Sequence, residues 1–171
     1  MTETGDPRWR AATTADISEI DRIAKIIHPD LPEDAESFAE KCRLSPSTCL
    51  VVCDGRNVRG YAIAYPWRDN DVPKLDTLFG KLPEDADVLF IHDVALLPRA
   101  RHLGLLQELL ARLSIAARDL GLQRMTLAAV YGSEEVWFRY GFRRTIMDEK
   151  LKAQTAGYGS AVFMTRELDP A

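Results

Sequence analysis

The sequence predicts a single α/β (α+β) domain over residues 1–171, in which a mixed central sheet carries helices on both faces. A chain of 171 residues with 46% hydrophobic and 28% charged residues has the size and balance of one folded domain. Its apolar periodicity gives the element order β, α, α, β, β, β, α, β, α, β, β. No internal repeat, low-complexity tract or linker divides the chain.

The first elements are a strand and two helices. Residues 9–12 are predicted as a strand, and Thr13 with Asp16 has the spacing of a capping box, which marks a helix start. The helix that follows has one apolar face, formed by Ile17, Ile20, Ile23, Ala24 and Ile27. Pro32 can occupy the first turn of a second helix, which is predicted to end near Leu44.

A hairpin and a long loop come next. Residues 48–53 and 58–65 are β-rich runs on either side of a short polar turn, which predicts two antiparallel strands. Residues 66–87 are rich in Pro, Asp and Gly, with a short helical piece predicted at 75–79. This segment is long for a simple connection, which indicates a functional loop.

The strongest strand and the strongest helix are adjacent in the sequence. Residues 88–97 form a nearly continuous apolar run that stops at Pro98, as in a buried central strand. A helix is predicted from Gly104 to the stop at Gly121, and its apolar face is formed by Leu106, Leu109, Leu110, Leu113, Ala117 and Leu120.

The remaining elements close the sheet. Residues 124–130 are predicted as a strand, and Ser133 can cap a short helix that Gly141 ends. Two final strands are predicted at residues 142–146 and 160–166.

Composition excludes several classes of protein. A net charge of −4 and a pI near 5.4 argue against nucleic-acid binding, which needs a clustered basic surface. The polar residues 1–10 do not resemble a secretory signal, and no apolar run approaches the roughly 18 residues that cross a bilayer. No metal site or disulfide framework is predicted from Cys42, Cys49 and Cys53. We therefore expect a soluble, cytoplasmic protein with no membrane or nucleic-acid partner.

The junction between the central strand and the strongest helix is suited to hold a phosphate. The first N–H groups of a helix lack internal partners, and the helix dipole adds positive potential there. Gly104 lets the backbone approach an anion, and Arg99, Arg101 and His102 add hydrogen bonds and charge. The alternative is a loop whose arginines are simply solvated.

The chain resembles the GNAT superfamily of N-acetyltransferases in two motifs about thirty residues apart. The family's pyrophosphate loop reads Arg or Gln, x, x, Gly, x, then Gly or Ala, and is matched by Arg101, His102, Leu103, Gly104, Leu105 and Leu106. An aromatic residue followed by Gly-Phe is matched by Trp137, Gly141 and Phe142. Similar bacterial members also carry an HD pair, matched by His92 and Asp93.

This resemblance implies a mostly antiparallel sheet of about six to seven strands whose central pair splays apart. It implies that the pantetheine arm of acetyl-CoA lies along Val94, Ala95 and Leu96, with hydrogen bonds to the backbone of Val94 and Leu96. The chain differs from the family at Leu106, where a small residue is usual. It also differs at Trp137, where many members have a tyrosine acid. Because an indole N–H is not a useful acid, Trp137 is expected to pack on the coenzyme or line the pocket.

A protonated amine must lose a proton before it attacks a thioester, so a base is needed. His92 is the candidate base, and Asp93 could help to extract the proton or bind the ammonium. Adjacent strand residues face opposite sides, so one of the pair should face the substrate unless a bulge intervenes. The alternative is that both are structural core residues. Tyr131 is a candidate acid or substrate contact, although the thiolate can also leave unprotonated.

The resulting hypothesis is an acetyl-CoA-dependent N-acetyltransferase, either monomer or homodimer, that acts on a primary amine of a small molecule or a peptide. Two acidic stretches, within residues 30–36 and 69–87, could attract a cationic acceptor or could be solvated surface. The alternative functions are a non-catalytic module that binds acyl-CoA and an interaction domain that keeps only the fold.

Overall fold

The computed structural model describes residues 5–170 and contains one seven-stranded sheet. The strands are β1 (Arg8–Ala11), β2 (Cys49–Asp54), β3 (Asn57–Trp67), β4 (Val88–Leu96), β5 (Arg124–Ala129), β6 (Arg143–Arg144) and β7 (Val162–Glu167). Their order in the sheet is β1-β2-β3-β4-β5-β7-β6. Neighbours are antiparallel except β4 and β5, which are parallel. The predicted mixed, mostly antiparallel sheet is confirmed.

Helices cover both faces of this sheet, as predicted. They are α1 (Ile17–Ile27), α2 (Ala35–Leu44), α3 (Leu105–Asp119), α4 (Glu134–Arg139) and α5 (Glu149–Ala156). One core packs α3 and the edge of α4 against the sheet, and the other core packs α1, α2 and α5 against the opposite face. Because the apolar strands of the centre are buried on both faces, alternate residues of β4 belong to different cores.

The predicted capping box ahead of α1 is confirmed. The Asp16 carboxylate accepts the backbone N–H of Thr13 at 2.8 Å and also binds the Arg10 guanidinium at 2.7 and 2.8 Å. These bonds satisfy groups that the start of a helix leaves without partners, and they fix where the chain leaves β1.

The second helix begins later than predicted. It starts at Ala35, so Pro32 lies outside it, and Asp34 is the extended residue that precedes the first turn. The backbone N–H of Asp34 donates to Oδ1 of Asp76 at 2.7 Å. This contact with the long loop holds the approach to α2 in an extended conformation.

The helix predicted at residues 75–79 is absent, because this stretch has only a turn at residues 75–76, where Asp76 has φ of +50°, followed by irregular backbone. Its backbone is held by side chains of the α2 region. The N–H of Asp76 donates to Glu33 at 3.0 Å, and that of Phe79 donates to Glu40 at 2.5 Å. Backbone N–H groups that bond to these side chains cannot also form the hydrogen bonds between successive turns of a helix.

Two C-terminal elements also differ from prediction. Helix α5 was not predicted, because Leu151 and Thr155 are its only buried residues and give little periodicity. Its signal is Asp148, whose carboxylate accepts the Leu151 N–H at 2.8 Å as a helix cap. The strand predicted at residues 142–146 is reduced to Arg143–Arg144, which pairs with two residues of β7.

Candidate active site

The central cleft opens where the parallel strands β4 and β5 separate. Their pairing ends at Ile91 opposite Leu127, although β4 continues to Leu96 and β5 to Ala129. A cleft of about 520 Å³ occupies the gap, and its lining is mainly apolar. The predicted separation of the central strands is therefore present, and the cleft connects both faces of the sheet.

Backbone donors of β4 face this gap. The N–H of Leu97 donates to Arg59 on the neighbouring β3 at 2.9 Å. Because successive strand residues direct their N–H groups to opposite edges, Ala95 also faces β3, whereas Val94 and Leu96 present theirs to the cleft. An extended ligand rich in amides can pair with such an edge. This is the edge that the sequence assigned to the pantetheine arm.

The N-terminus of α3 lies beside the same opening. Gly104 precedes the helix with φ of +74°, a left-handed conformation that favours glycine, and no side chain in residues 5–170 caps its first turn. The Trp9 indole donates to the carbonyl of Leu105 at 2.9 Å and fixes this turn against β1. The N–H groups at the start of α3 are therefore available to an anion.

The predicted coenzyme-binding residues lie in different surroundings. Arg101 lines the cleft, and its Nε donates to the carbonyl of Leu96 at 3.0 Å. Arg99, His102 and Leu103 are exposed and lie outside the cleft lining. Leu105 is buried in the core. Ala95 is also buried, with its side chain in the α1–α2 core, so only its main chain can follow the coenzyme edge.

Leu106 and Trp137 form an apolar wall of the cleft. Both are partly buried against the α3 core and line the opening. The Trp137 indole donates to Oγ of Ser133 at 3.2 Å and packs edge-on against Phe142, with ring centroids 5.6 Å apart. Its indole N–H is thus bonded to the residue that precedes α4, and Trp137 lines the cleft as an aromatic side chain without a useful acid.

A β-bulge places His92 and Asp93 on the same face of the sheet. Ile63 pairs with Asp93 and the adjacent Ala64 pairs with Ile91, so His92 is the extra residue in β4. Both side chains consequently point toward α1 and α2. The strand alternation considered in the sequence is interrupted at this pair.

His92 belongs to a buried hydrogen-bonded network. Its Nδ1 lies 2.8 Å from the hydroxyl of Tyr65 and its Nε2 lies 2.6 Å from Oε1 of Glu33. Lys41, fully buried, lies 3.8 Å from the other Glu33 oxygen and donates to Ser37 at 2.5 Å. Burial alone raises the pKa of Glu33. The charges of His92 and Lys41, together with hydrogen bonds from His92 and the Asp76 N–H, outweigh burial and lower that pKa to about 2.

Asp93 connects β4 to the segment after α1. Its Oδ2 accepts the hydroxyl of Tyr61 at 2.5 Å, and its Oδ1 lies 2.7 Å from Nε2 of His28. The His28 ring stacks on Tyr131 with centroids 5.6 Å apart and planes 11° apart. The Tyr131 hydroxyl accepts the backbone N–H of Asp30 at 3.3 Å. Tyr131 thus bridges β5 and the α1–α2 segment across the cleft.

The sequence did not identify His28 as a site residue, and it gave Glu33 only as a member of an acidic stretch that could attract a cationic acceptor. Neither residue belongs to a motif. The one available signal concerns His28, which is a polar residue directly after the last apolar residue of α1. Most predicted acidic residues serve other contacts. Asp69 binds Arg124 at 2.5 Å and Asp85 binds Arg68 at 2.8 Å, so these loop carboxylates do not line the cleft.

The sequence matches the acetyltransferase (GNAT) family over residues 14–142. Since this match covers most of the chain, the protein belongs to that family. The order of elements, the separated central strands and the bare helix N-terminus agree with this assignment. No curated protein matches the chain in sequence.

Solved structures share the fold at low sequence identity. N-acetylglutamate synthase from Neisseria gonorrhoeae, complexed with coenzyme A and N-acetyl-glutamate, has a TM-score of 0.72 at 18% identity, over 97% of this chain and 36% of that one. This chain therefore spans about a third of that synthase. Ard1 from Thermoplasma volcanium has a TM-score of 0.70 at 18% identity, over 97% of this chain and 100% of that one. The GNAT-like decarboxylase GphF, with isobutyryl-CoA, has a TM-score of 0.72 at 14% identity, over 95% of this chain and 100% of that one.

Two kinds of feature are absent from residues 5–170. None of the helices described there has the length and apolar character needed to cross a membrane. Within the same residues, no group of three or more His, Cys, Asp or Glu side chains is arranged to hold a metal ion.

Proposed function

We propose that this protein transfers the acetyl group of acetyl-CoA to a primary amine of a small molecule or a peptide. The observation that carries the proposal is the opening between β4 and β5. Free N–H groups of Val94 and Leu96 line its edge, and the uncapped start of α3 lies beside it. Imidazole and carboxylate side chains stand at its other side. A thioester laid along this edge would meet the groups that an amine acceptor needs.

The coenzyme half of the cleft has groups of the right chemistry for each part of acetyl-CoA. N–H groups at the start of α3 and the Arg101 guanidinium suit the diphosphate. Val94 and Leu96 suit the amides of the pantetheine arm. Leu106 and Trp137 supply apolar contact beside it. Bound there, acetyl-CoA would supply an activated acyl group.

The acceptor half lies on the α1–α2 side of the sheet. Its apolar wall includes Ile27, Leu31 and Leu75, and its polar groups include His92, Asp93 and Tyr131. We place the part of the cleft wall that holds His92 and Asp93 at the reaction centre, and Tyr131 beside the acceptor. Direct attack needs the amine in its neutral form, because a lysine-like amine has a pKa near 10.4 in water. A carboxylate and an imidazole beside the thioester can remove that proton.

The test measures coenzyme binding and turnover separately. Thermal unfolding is followed with and without acetyl-CoA, and thiol release is then followed with benzylamine, phenethylamine, spermidine and short peptides with free N-termini. We expect stabilisation by acetyl-CoA, amine-dependent thiol release and an acetylated product detected by mass spectrometry.

Three results would contradict the proposal in different ways. Stabilisation without thiol release from any amine would leave a non-catalytic acyl-CoA-binding module as the better account. Absence of stabilisation would remove coenzyme binding as well. Because related folds include a decarboxylase, acyl-CoA consumption without an acetylated amine would also count against acetyl transfer.

A further inference from the structure

We infer that His28, held beside Asp93, accepts the proton of the attacking amine, and that His92 is a structural part of the adjacent network. This inference rests on the proposed acetyl transfer. It concerns which imidazole of the site can exchange a proton with a ligand without breaking a buried hydrogen bond.

His92 has no free proton-accepting position. Its side chain has no exposed surface, and its two ring nitrogens lie 2.8 Å from the Tyr65 hydroxyl and 2.6 Å from Glu33. A proton passed from substrate to His92 would have to replace one of these contacts. The partner left behind would be a buried polar group without a hydrogen bond, which costs about 1–3 kcal/mol or more if charged. Glu33 must also remain in place to compensate the buried Lys41.

His28 faces the cleft and lies among groups that accept hydrogen bonds. Its side chain is 12% exposed and lines the cleft. Its Nε2 is 2.7 Å from Oδ1 of Asp93, and the backbone of Val94 also accepts a hydrogen bond from the ring. A proton received by His28 would strengthen these contacts, whereas a proton received by His92 would displace one of its own.

The surroundings of His28 hold its ring in position. Tyr131, which follows β5, stacks on one face of the ring, and Asp93 on β4 lies at its edge. The Tyr61 hydroxyl from β3 donates to the second oxygen of Asp93 and fixes that carboxylate. The imidazole is thus aligned by elements on both sides of the cleft, as a base close to a reacting atom requires.

The charged and titratable groups that face His28 are Asp93, Glu33 and Tyr131. Burial lowers the pKa of His28, but the hydrogen bond and charge of Asp93 act against it. The Val94 carbonyl and the Glu33 charge add to that effect, and the net result raises the pKa above 6.5. The neutral, proton-accepting form therefore accumulates as pH rises through a value above 6.5. After proton transfer, Asp93 stabilises the imidazolium that His28 becomes.

The acceptor ammonium loses two protons as it gains the acetyl group. The ammonium form of the acceptor gives one proton to His28, and its nitrogen lone pair forms a bond to the thioester carbonyl carbon. The C–S bond then breaks, and its electron pair leaves with sulfur. The thiolate takes a proton from the His28 imidazolium, and the second nitrogen proton passes to water. The products are an amide, free coenzyme A and one released proton.

The test uses the full-length protein and the panel amine that the wild type acetylates fastest, with kcat measured between about pH 5.5 and 9.5. The variants are His28→Gln, His92→Gln and Asp93→Asn, with Lys25→Gln as an exposed control on α1. We expect His28→Gln to lower kcat about 10²- to 10³-fold. It should also abolish the fall of kcat at low pH, which is the acidic limb of the pH–kcat profile. The Kd of acetyl-CoA should change less than twofold. His92→Gln should lower the unfolding midpoint but keep the acidic limb. Asp93→Asn should move that limb to lower pH.

Failure of the assignment is distinguishable from failure of the proposed function. A wild type that acetylates no amine overturns the proposed function and this assignment with it. If the wild type acetylates an amine, but folded His28→Gln keeps the acidic limb of the pH–kcat profile and a kcat within threefold of wild type, the His28 assignment alone is overturned. If folded His92→Gln loses the acidic limb of the pH–kcat profile and His28→Gln keeps it, His92 is the base that accepts the amine proton.

Discussion

Replacing Glu33 by Gln should destabilise the protein far more than its loss of one charge suggests. The carboxylate lies 2.6 Å from the His92 ring and 3.8 Å from the buried Lys41 ammonium, and its side chain is 3% exposed. Breaking a buried ion pair on one side typically costs about 3–5 kcal/mol, because the remaining charge is left without compensation. The lowered pKa gives a similar figure, since a decrease from 4.5 to about 2 corresponds to about 3 kcal/mol.

The pH dependence of this loss has a definite sign. Because folding lowers the pKa of Glu33, its contribution is complete above about pH 4.5 and is lost as pH falls toward about 2. Urea denaturation at several pH values should show a wild-type advantage of about 3 kcal/mol at pH 7 that shrinks below pH 4.5. The matched control is Glu19→Gln, which removes an exposed ion pair with Arg22 and should cost at most about 1 kcal/mol. An effect of Glu33→Gln no larger than the control, or independent of pH, would refute the reasoning.

Three further predictions concern the coenzyme half of the cleft. Gly104→Ala should lower the free energy of unfolding by about 1–2 kcal/mol, because alanine is strained at φ of +74°; an unchanged urea midpoint would contradict this. Arg101→Gln should raise the Kd of acetyl-CoA about tenfold by calorimetry. The control Arg112→Gln, which removes an exposed arginine from α3, should leave that Kd unchanged; equal effects of the two variants would remove the phosphate role of Arg101. Trp137→Phe should keep kcat within threefold while Trp137→Ala raises KM for acetyl-CoA, and a large kcat loss in the phenylalanine variant would indicate that the indole N–H takes part in the chemistry.

Local signals predicted most of the fold. Thr13 and Asp16 marked the start of α1, and the leucine series with Gly121 marked α3 and its end. These signals succeed because capping and amphipathic periodicity act within a few residues. The segment at residues 75–79 failed for the opposite reason. Its backbone donors are bonded to Glu33 and Glu40, which lie more than thirty residues earlier in the chain.

The site was predictable where it follows a motif and hidden where it depends on tertiary contacts. Arg101 and Trp137 line the cleft as the motif implies. The bulge at His92 could not be read from the sequence, because it depends on the register between β3 and β4. His28 reaches Asp93 only through the folding of α1 onto the sheet, and a histidine before a proline carries no signal of that contact.

The central claim is that a coenzyme lies along the free edge of β4 and ends at the start of α3. Backbone amide hydrogen exchange, followed by NMR with and without acetyl-CoA, tests it at single residues. We predict slower exchange at Val94 and Leu96 and at the first turn of α3 when acetyl-CoA is bound, with Ala95 unchanged because its N–H already pairs with β3. Unchanged exchange at Val94 and Leu96 in a protein saturated with acetyl-CoA would contradict the account.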